Sequence, residues 1–109
     1  MADLITIDDF KKVELRVGVV KAVEPHPNAD KLLVLKVDVG GAEKQLVAGI
    51  RGHYDPQALV GRRLVVVCNL APATLRGVES QGMLLAARDG AKIVLLSTDQ
   101  EVAAGSVIS

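Results

Sequence analysis

The sequence is poor in aromatic residues, in cysteine and in excess charge of either sign. Its 109 residues include one tyrosine, one phenylalanine, no tryptophan and one cysteine, Cys68. A single thiol forms neither an intrachain disulfide nor a cysteine-based zinc cluster, so we expect Cys68 to be a small core residue. The 13 basic and 13 acidic residues give a formal net charge of zero. This balance argues against a protein that coats nucleic acid non-specifically.

Long hydrophobic runs are also lacking. The longest apolar segments are far shorter than the roughly 20 residues of a membrane-spanning helix, and no basic region followed by a long apolar stretch begins the chain. We therefore expect a cytoplasmic protein without a membrane partner. Half of the residues are apolar, which is enough for one packed core. No linker or repeat interrupts the chain, so we predict a single domain over residues 1–109.

Valine-rich stretches of alternating polarity indicate β-strands. They predict strands over residues 14–23, 33–39, 43–48, 63–69, 83–88 and 92–96. Gly40-Gly41 and Asp89-Gly90 are typical of hairpin turns. Asp55-Pro56 predicts the start of a short helix that Gly61 closes, and Asp8-Asp9 could cap another short helical turn.

The side-chain alternation of two strands predicts which residues face outward. In the first strand it places the odd-numbered residues from Leu15 to Val19 on one face and Arg16 on the other, with Gly18 at a bend or bulge. In the second strand the odd-numbered residues face the core and Lys36 faces outward. We therefore expect Arg16 and Lys36 on an outer surface.

Three strands, a short helix and two or three further strands follow one another along the chain. This order predicts an all-β OB-fold, a five-stranded Greek-key barrel with the short helix between strands 3 and 4 and a C-terminal extension. Another small β-barrel would fit the same pattern. The apolar extension predicts either a last strand that seals the barrel or a self-association segment; its apolar residues are Val102, Ala103, Ala104, Val107 and Ile108.

The sequence contains no recognisable catalytic or metal-binding motif. His26 and His53 lie in different loops without metal-ligand spacing, and neither a Gly-x-Ser-x-Gly elbow nor a Walker loop is present. We expect His26 to be exposed or to pack locally. The sequence therefore predicts a protein that is not an enzyme and uses no metal or cofactor.

Two loops carry unusual sets of polar residues. In residues 27–31, the preference of asparagine and aspartate for turns explains Asn28 and Asp30, but it does not explain Lys31. Residues 69–83 lack strand alternation and carry Arg76, Ser80 and Gln81 close together. A guanidinium, a hydroxyl and an amide are groups that suit recognition of a nucleotide. Met83 follows, and the local pattern alone favours a core position for it.

Four sequence blocks resemble the tRNA-binding domain family, which includes the C-terminal domain of bacterial methionyl-tRNA synthetases, stand-alone bacterial tRNA-binding proteins and endothelial monocyte-activating polypeptide II. The resemblance covers about residues 7–108, and the blocks lie at residues 13–18, 26–32, 69–72 and 77–83. It implies an OB-fold homodimer without catalytic activity that binds tRNA largely irrespective of acceptor identity. The residues that it implies at the RNA surface are Arg16, Asn28, Lys31, Ser80, Gln81 and Met83.

Two basic residues complete the candidate tRNA-binding set. Lys36 is added because its strand alternation points it outward. Many relatives carry lysine where this chain has Thr74, so one basic contact is either missing or supplied by Arg76. With so few aromatics, base stacking cannot dominate, and we predict recognition of RNA shape through phosphate and 2′-OH contacts.

Three roles fit this prediction. The first is a tRNA chaperone, and the second is an aminoacylation accessory that delivers tRNA to an aminoacyl-tRNA synthetase. The alternative is a peptide-binding export chaperone of the CsaA type; in that branch the Asp-Lys-Leu and Ser-Gln-Gly-Met segments are altered, whereas both are intact here. The start at Met1 favours a free protein over a fragment of a synthetase.

Overall fold

The computed structural model describes residues 3–109 and shows a mainly β-sheet fold. No helix in this described part of the chain is long and apolar enough to cross a membrane. Its elements are α1 (Ile7–Phe10), β1 (Leu15–Pro25), β2 (Leu33–Asp38), β3 (Glu43–Ala48), α2 (Pro56–Leu59), β4 (Arg63–Val67), β5 (Ala73–Leu75), β6 (Val78–Ser80), β7 (Met83–Leu84), β8 (Ala86–Asp89), β9 (Lys92–Leu95) and β10 (Val107–Ile108).

The strands form a nearly closed antiparallel barrel. The main sheet has the order β3-β2-β1-β4-β7, and β10 also pairs with β1. Two further hairpins, β5–β6 and β8–β9, lie outside this sheet. The prediction of an all-β OB-fold with a short helix between strands 3 and 4 is confirmed. The stretch predicted as one strand over residues 83–88 is divided into β7 and β8.

The predicted turns and caps are mostly confirmed. Gly40 and Gly41 both have positive φ, 95° and 84°, as a two-residue hairpin between twisted strands requires. Asp55 caps α2, and Pro56 is its first residue. At α1 the predicted cap is wrong, because Thr6 is the N-cap and forms a capping box with Asp9.

The core lies inside the barrel. Alternate residues of β2 and the inner residues of β4 are almost completely buried, as the alternation predicts for β2. Cys68 joins them as a free, buried thiol, and burial raises its pKa. The other members of the core are Val20, Leu33, Leu35, Val37, Val39, Leu46, Ile50, Leu59, Leu64, Val66 and Leu95.

The predicted orientation of β1 is wrong. Gly18 pairs with Leu64 and Arg16 with Val66, so the even-numbered residues of β1 share the face of the core residues of β4. Val17 is also buried, but it lies outside the core cluster on the opposite face. The irregularity predicted at Gly18 is found between Val20 and Ala22. The alternation of polarity did not predict which face of β1 lies in the core, because both faces of this part of the strand are covered.

Gly18 is required for close packing rather than for a bend. A Cβ atom there would lie 2.4 Å from Cγ1 of Val37 and 2.8 Å from Cγ2 of Val66. We expect Gly18→Ala to lower the free energy of unfolding by about 1–3 kcal/mol through overpacking, measured by urea denaturation. Gly49→Ala is the control, because its Cβ would meet only Leu32 at 3.9 Å. Equal stability of the two variants would contradict the overpacking argument.

Candidate nucleic-acid interface

The segment from residue 73 to residue 80 is a β-hairpin, not the irregular loop that its sequence predicts. Strands β5 and β6 pair through Ala73 and Ser80 at one end and through Leu75 and Val78 at the other. Arg76 and Gly77 form the turn with positive φ, 52° and 88°. Positive φ at both turn residues matches the twist of the two paired strands. Arg76 is exposed at the tip of the hairpin. β5 and β6 have three residues each, and strands this short cannot be recognised from a pattern of alternating polarity.

Ser80 and Gln81 connect the base of this hairpin to β3, an edge strand of the main sheet. The Ser80 hydroxyl accepts a hydrogen bond from Val47 N–H at 3.0 Å and donates one to Gly82 O at 3.0 Å. Gln81 receives the Gln45 N–H on its side-chain oxygen at 2.8 Å and donates its own N–H to Gln45 O at 2.7 Å. These bonds satisfy backbone groups that β3 cannot pair within the sheet.

Ser80 is therefore not on the RNA-facing surface that the resemblance implies for it. Its side chain is 5% exposed, and both functions of its hydroxyl are used inside the protein. Gln81 is half-buried and differs from Ser80, because its side-chain NH₂ donates to no residue between 3 and 109. An amide of this kind remains able to donate to an RNA acceptor.

His26 joins the two polar segments that the sequence singles out. It is 3% exposed, so the prediction of a merely local or exposed residue is wrong. Its Nδ1 accepts the Asn28 N–H at 2.9 Å, and its Nε2 lies 2.9 Å from Leu75 O. A carbonyl can only accept, so Nε2 carries the proton and the ring is the neutral Nε2–H tautomer.

The loop over residues 26–32 is held from its other side as well. Arg51 donates its backbone N–H to Lys31 O at 3.3 Å and its Nη1–H to Ala29 O at 3.4 Å. The side chains of Asn28 and Lys31 are exposed. The loop is thus anchored through its backbone, which leaves these two polar side chains directed at solvent.

Lys36 continues this surface along the outer face of the barrel. Its Nζ donates to Oε1 of Gln45, its cross-strand partner in β3, and Nε2 of Gln45 donates to Glu79 O at 2.8 Å. The outward orientation predicted for Lys36 agrees with its position opposite the core residues of β2. A continuous hydrogen-bonded path therefore runs from Lys36 through Gln45 to the β5–β6 hairpin.

Arg16 lies apart from this group. Its Nε donates to Oε1 of Glu14 at 2.7 Å and its Nη1 to Gly105 O at 2.9 Å. The hydrogen bond that Arg16 donates to Glu14 raises the pKa of Arg16. Its described contacts join β1 to the C-terminal extension, and none reaches residues 26–32 or the hairpin. Its side chain is 36% exposed, so Arg16 does reach the surface, but on the face of β1 that the core residues of β4 share rather than beside the loop and the hairpin. Its role in RNA binding stays a prediction.

Met83 is more exposed than its local sequence pattern predicts. Its side chain is 47% exposed, although it begins β7 and pairs with Val67. A core position for Met83 is therefore wrong, and its exposure agrees with the surface position that the resemblance implies. Met83 lies two residues from Gln81, so an apolar contact and an amide donor occur together.

The structure thus brings together the loop over residues 26–32, the β5–β6 hairpin and the outer face of β2 and β3. Sequence reasoning missed His26, Gln45 and Arg51 as members of this arrangement. The position of Gln45 was predictable from the sequence, because a two-residue turn at Gly40-Gly41 fixes the pairing of Lys36 with Gln45. The other two act through contacts with residues far away in the chain, for which a single sequence carries no signal. No group of three His, Cys, Asp or Glu side chains that could hold a metal occurs among residues 3–109.

Comparisons with known proteins identify the family of this chain. The family model described as "Putative tRNA binding domain" matches residues 15–107. Methionine–tRNA ligase of Pyrococcus furiosus is 52% identical over 104 residues, which are 95% of this chain and 14% of the ligase. The ligase of Thermotoga maritima is 53% identical over 105 residues, which are 96% of this chain and 17% of that protein. The chain therefore spans about one sixth or less of the length of these ligases.

Solved structures of similar length share the whole fold. A MetRS-related protein from Pyrococcus horikoshii has a TM-score of 0.92 and 37% identity, and the match covers 99% of this chain and 100% of that chain. The chaperone CsaA of Bacillus anthracis has a TM-score of 0.89 and 30% identity, with 98% and 100% of the two chains covered.

Proposed function

This chain belongs to the tRNA-binding domain family, and from that membership we propose that it is a non-catalytic, homodimeric protein that recognises the folded shape of tRNA. It acts as one domain over residues 1–109, in the cytoplasm, as a tRNA chaperone or as an accessory that delivers tRNA to an aminoacyl-tRNA synthetase. The observation that carries the proposal is the hydrogen-bonded arrangement of the 26–32 loop, the β5–β6 hairpin and the outer face of β2 and β3. Aminoacylation itself forms no part of the proposal.

The chemistry of this surface favours contacts with the RNA backbone. Lys31 and Arg76 are exposed on the two segments that His26 connects, and Lys36 of β2 is linked to the hairpin through Gln45. Their cationic groups suit phosphate oxygens. The amides of Asn28 and Gln81 can reach 2′-hydroxyls or base edges. Ser80 contributes by positioning the hairpin, because its own hydroxyl is already bonded within the protein.

Rigid attachment is what makes this surface suited to one RNA shape. The hydrogen bonds of His26, Arg51, Ser80 and Gln81 fix the spacing between the cationic groups before RNA arrives. Pre-organisation of this kind reduces the ordering cost of binding. A protein whose 13 basic residues are balanced by 13 acidic ones gains most of its selectivity from where its cations lie, rather than from a net positive charge.

The proposal is tested by gel shift of tRNA, of a perfect RNA duplex and of an unstructured single strand over a salt series. We expect tRNA to bind more tightly than either competitor. We also expect the logarithm of its affinity to fall linearly with the logarithm of the salt concentration. Equal affinity for all three RNAs would overturn shape recognition, and an affinity that does not change with salt would exclude phosphate contacts.

Removal of single charges should change the salt dependence. We expect Lys31→Gln and Lys36→Gln each to weaken tRNA binding and to reduce the slope against salt by about one. Arg62→Gln is the control, because Arg62 is exposed, lies outside the proposed surface and the terminal patch, and is placed over the ring of Tyr54. Slopes are measured by fluorescence anisotropy with labelled tRNA. If the control changes the slope as much as the other two variants, the proposed surface is in the wrong place.

An uncovered apolar patch supports the homodimer. Helix α1 has no buried residue, yet Ile7 is 65% and Phe10 40% exposed, and Val107 of β10 is 69% exposed. Phe10 and Val107 line the same open groove of about 380 Å³, between the N-terminal segment and the C-terminal extension. Leu4 and Ile5 extend the exposed apolar surface. We call these five residues the terminal patch.

A second copy of the chain is the occupant that we propose for the terminal patch. Exposed apolar surface of this extent on a small domain marks an interaction site, and a two-fold axis would place identical patches against each other. The dimer would then carry two tRNA-binding surfaces. Both predicted roles of the C-terminal extension are combined in this proposal, since β10 pairs with β1 and Val107 remains exposed.

Peptide binding of the CsaA type is the second candidate function. Its support is the fold shared with CsaA of Bacillus anthracis and with CsaA of Picrophilus torridus, which is 29% identical with a TM-score of 0.90. The two candidates separate in a competition experiment with labelled tRNA and a reduced, carboxymethylated polypeptide. Binding of the polypeptide without binding of tRNA would favour the chaperone function.

A further inference from the structure

The barrel has an open seam between β3 and β7. These strands lie at opposite ends of the main sheet, and Ser80 and Gln81 bridge them only at Val47 and Gln45. Beyond Val47 the seam opens into a cavity of about 240 Å³, which we call the seam cavity. Its lining comes from the end of β3, from β7 and from the β8–β9 hairpin: Val47, Ala48, Gly49, Ile50, Met83, Leu84, Ala86, Arg88, Ile93 and Leu95.

The side chains that line the seam cavity are apolar except for one cation, and polar atoms make up almost half of its exposed surface. Val47, Ile50 and Leu95 are buried, whereas Met83 is 47% exposed. Arg88 is the one charged side chain in the lining. It is exposed and forms no ion pair with the residues that the structure describes. Apolar side chains, accessible polar atoms and an unpaired guanidinium together complement a ligand that has apolar faces, polar edges and an anionic group beside them.

We propose that the seam cavity binds one unstacked nucleobase of tRNA and that Arg88 contacts a phosphate next to that base. This inference rests on the proposed tRNA-binding function and extends it to a specific subsite. The cavity is smaller than the roughly 300–1,000 Å³ of drug-sized ligand sites, so it admits a single base. The thioether of Met83 suits the face of an aromatic ring, which makes up in part for the lack of aromatic side chains.

The charge of the lining favours a nucleobase over an apolar peptide side chain. A base is attached to a phosphate backbone that Arg88 attracts, and Gln81 adds an available amide near Met83. Unpaired bases occur in the loops and ends of folded RNA and not in a perfect duplex. The seam cavity would therefore add discrimination between tRNA and duplex RNA to the backbone contacts of Lys31 and Lys36.

Two neighbouring alanines of β8 provide a matched test. Ala86 and Ala87 are both exposed, but Ala86 lines the seam cavity and Ala87 does not. We expect Ala86→Phe to fill the cavity and weaken tRNA binding on the order of tenfold, the effect of losing one base contact. Ala87→Phe should bind tRNA as the unaltered chain does. Neither variant should change binding to a perfect RNA duplex.

A second variant keeps the proposal testable if Ala86→Phe does not fold. Arg88→Gln should weaken tRNA binding and lower the salt slope by about one. Cross-linking should support the same site: 4-thiouridine placed at unpaired positions of tRNA should react with a peptide that contains Met83 or Arg88. Folding of each variant is checked by thermal melting.

The outcomes separate this inference from the proposed function. If the unaltered chain does not prefer tRNA, the proposed function fails. If it prefers tRNA and Ala86→Phe binds as well as Ala87→Phe, the nucleobase subsite alone is overturned. Loss of binding to carboxymethylated polypeptide in Ala86→Phe, with tRNA binding unchanged, would also overturn it and would assign the cavity to a peptide side chain.

Discussion

A double variant with Ile7→Asp and Phe10→Lys should be a monomer and should bind tRNA about 10²- to 10⁴-fold more weakly than the unaltered protein. The two residues belong to the terminal patch and lie on α1, where no residue is buried. Charges there would have to lose their hydration if two patches met. The loss of tRNA affinity follows because a dimer that engages one tRNA with two surfaces gains an avidity that a monomer lacks.

The substitutions leave both the helix and the overall charge intact. Aspartate near the start of α1 and lysine near its end both complement the helix dipole. Their opposite charges also keep the formal net charge at zero. A weaker affinity for tRNA can therefore not be attributed to added negative charge on the protein.

Oligomeric state is measured by size-exclusion chromatography with light scattering, and affinity by anisotropy. The control is Val60→Asp with Val94→Lys, which places the same charges at residues that are 46% and 45% exposed and lie outside the terminal patch. The proposal fails if the unaltered protein is a monomer, or if the variant remains a dimer. If the variant is a monomer with undiminished tRNA affinity, the terminal patch is still the dimer interface, but avidity does not contribute to tRNA binding.

Substitution of His26 should have the next largest effect, since it breaks the connection between the two segments of the proposed RNA surface. We expect His26→Ala to lower the free energy of unfolding by about 1–3 kcal/mol, because the partly buried N–H of Asn28 and carbonyl of Leu75 lose their partner. We also expect tRNA affinity to fall about tenfold or more, since the loop and the hairpin must then be ordered during binding. Stability is measured by urea denaturation and affinity by anisotropy.

Two conservative variants separate the bonds of His26. In His26→Asn the side-chain oxygen can still accept from Asn28 N–H, as Nδ1 does. In His26→Gln the side-chain NH₂ can reach toward Leu75 O, as Nε2 does. If the inter-segment bond is the important one, glutamine should restore tRNA affinity better than asparagine. A loss of stability in all three variants without any loss of affinity would show that His26 has only a structural role.

Hydrogen exchange provides an independent readout of the same connection. The backbone amides of the β5–β6 hairpin should exchange faster in His26→Ala than in the unaltered protein. Exchange in β2 and β4 should change only as far as global stability changes. Unaltered protection of the hairpin would contradict the proposal that His26 fixes its position.

Patterns within the chain determined the type and order of most elements. The bounds of β3 are those predicted, and α2 starts at the predicted residue because Asp55 and Pro56 form a local start signal. The Gly40-Gly41 turn fixes the register that pairs Lys36 with Gln45. These features depend on backbone preferences and on neighbours a few residues away, so a single sequence encodes them directly.

Other features depend on what covers each strand. In β1 the alternation of side chains places Val17 and Val19 on one face and Gly18 on the other. No nearby residue in the sequence shows that Gly18 faces the core. Only the packing of β2 and β4 decides it, since Val37 and Val66 occupy the space that a side chain would need. Arg16 consequently lies on this same face of β1, where it donates to Gly105 O of the C-terminal extension.

Composition, turn signals and alternation by themselves determined a β-barrel without catalytic motifs, and the motif blocks indicated its family. Only the tertiary structure decided which polar residues of those blocks lie at the surface and which hold other segments in place through hydrogen bonds. The Ser80 hydroxyl is bonded to a strand 33 residues away and the His26 ring to a carbonyl 49 residues away, whereas Lys31 and Arg76 remain exposed. Hydrogen bonds over such separations form only when the barrel closes, because until then no local preference brings their partners together.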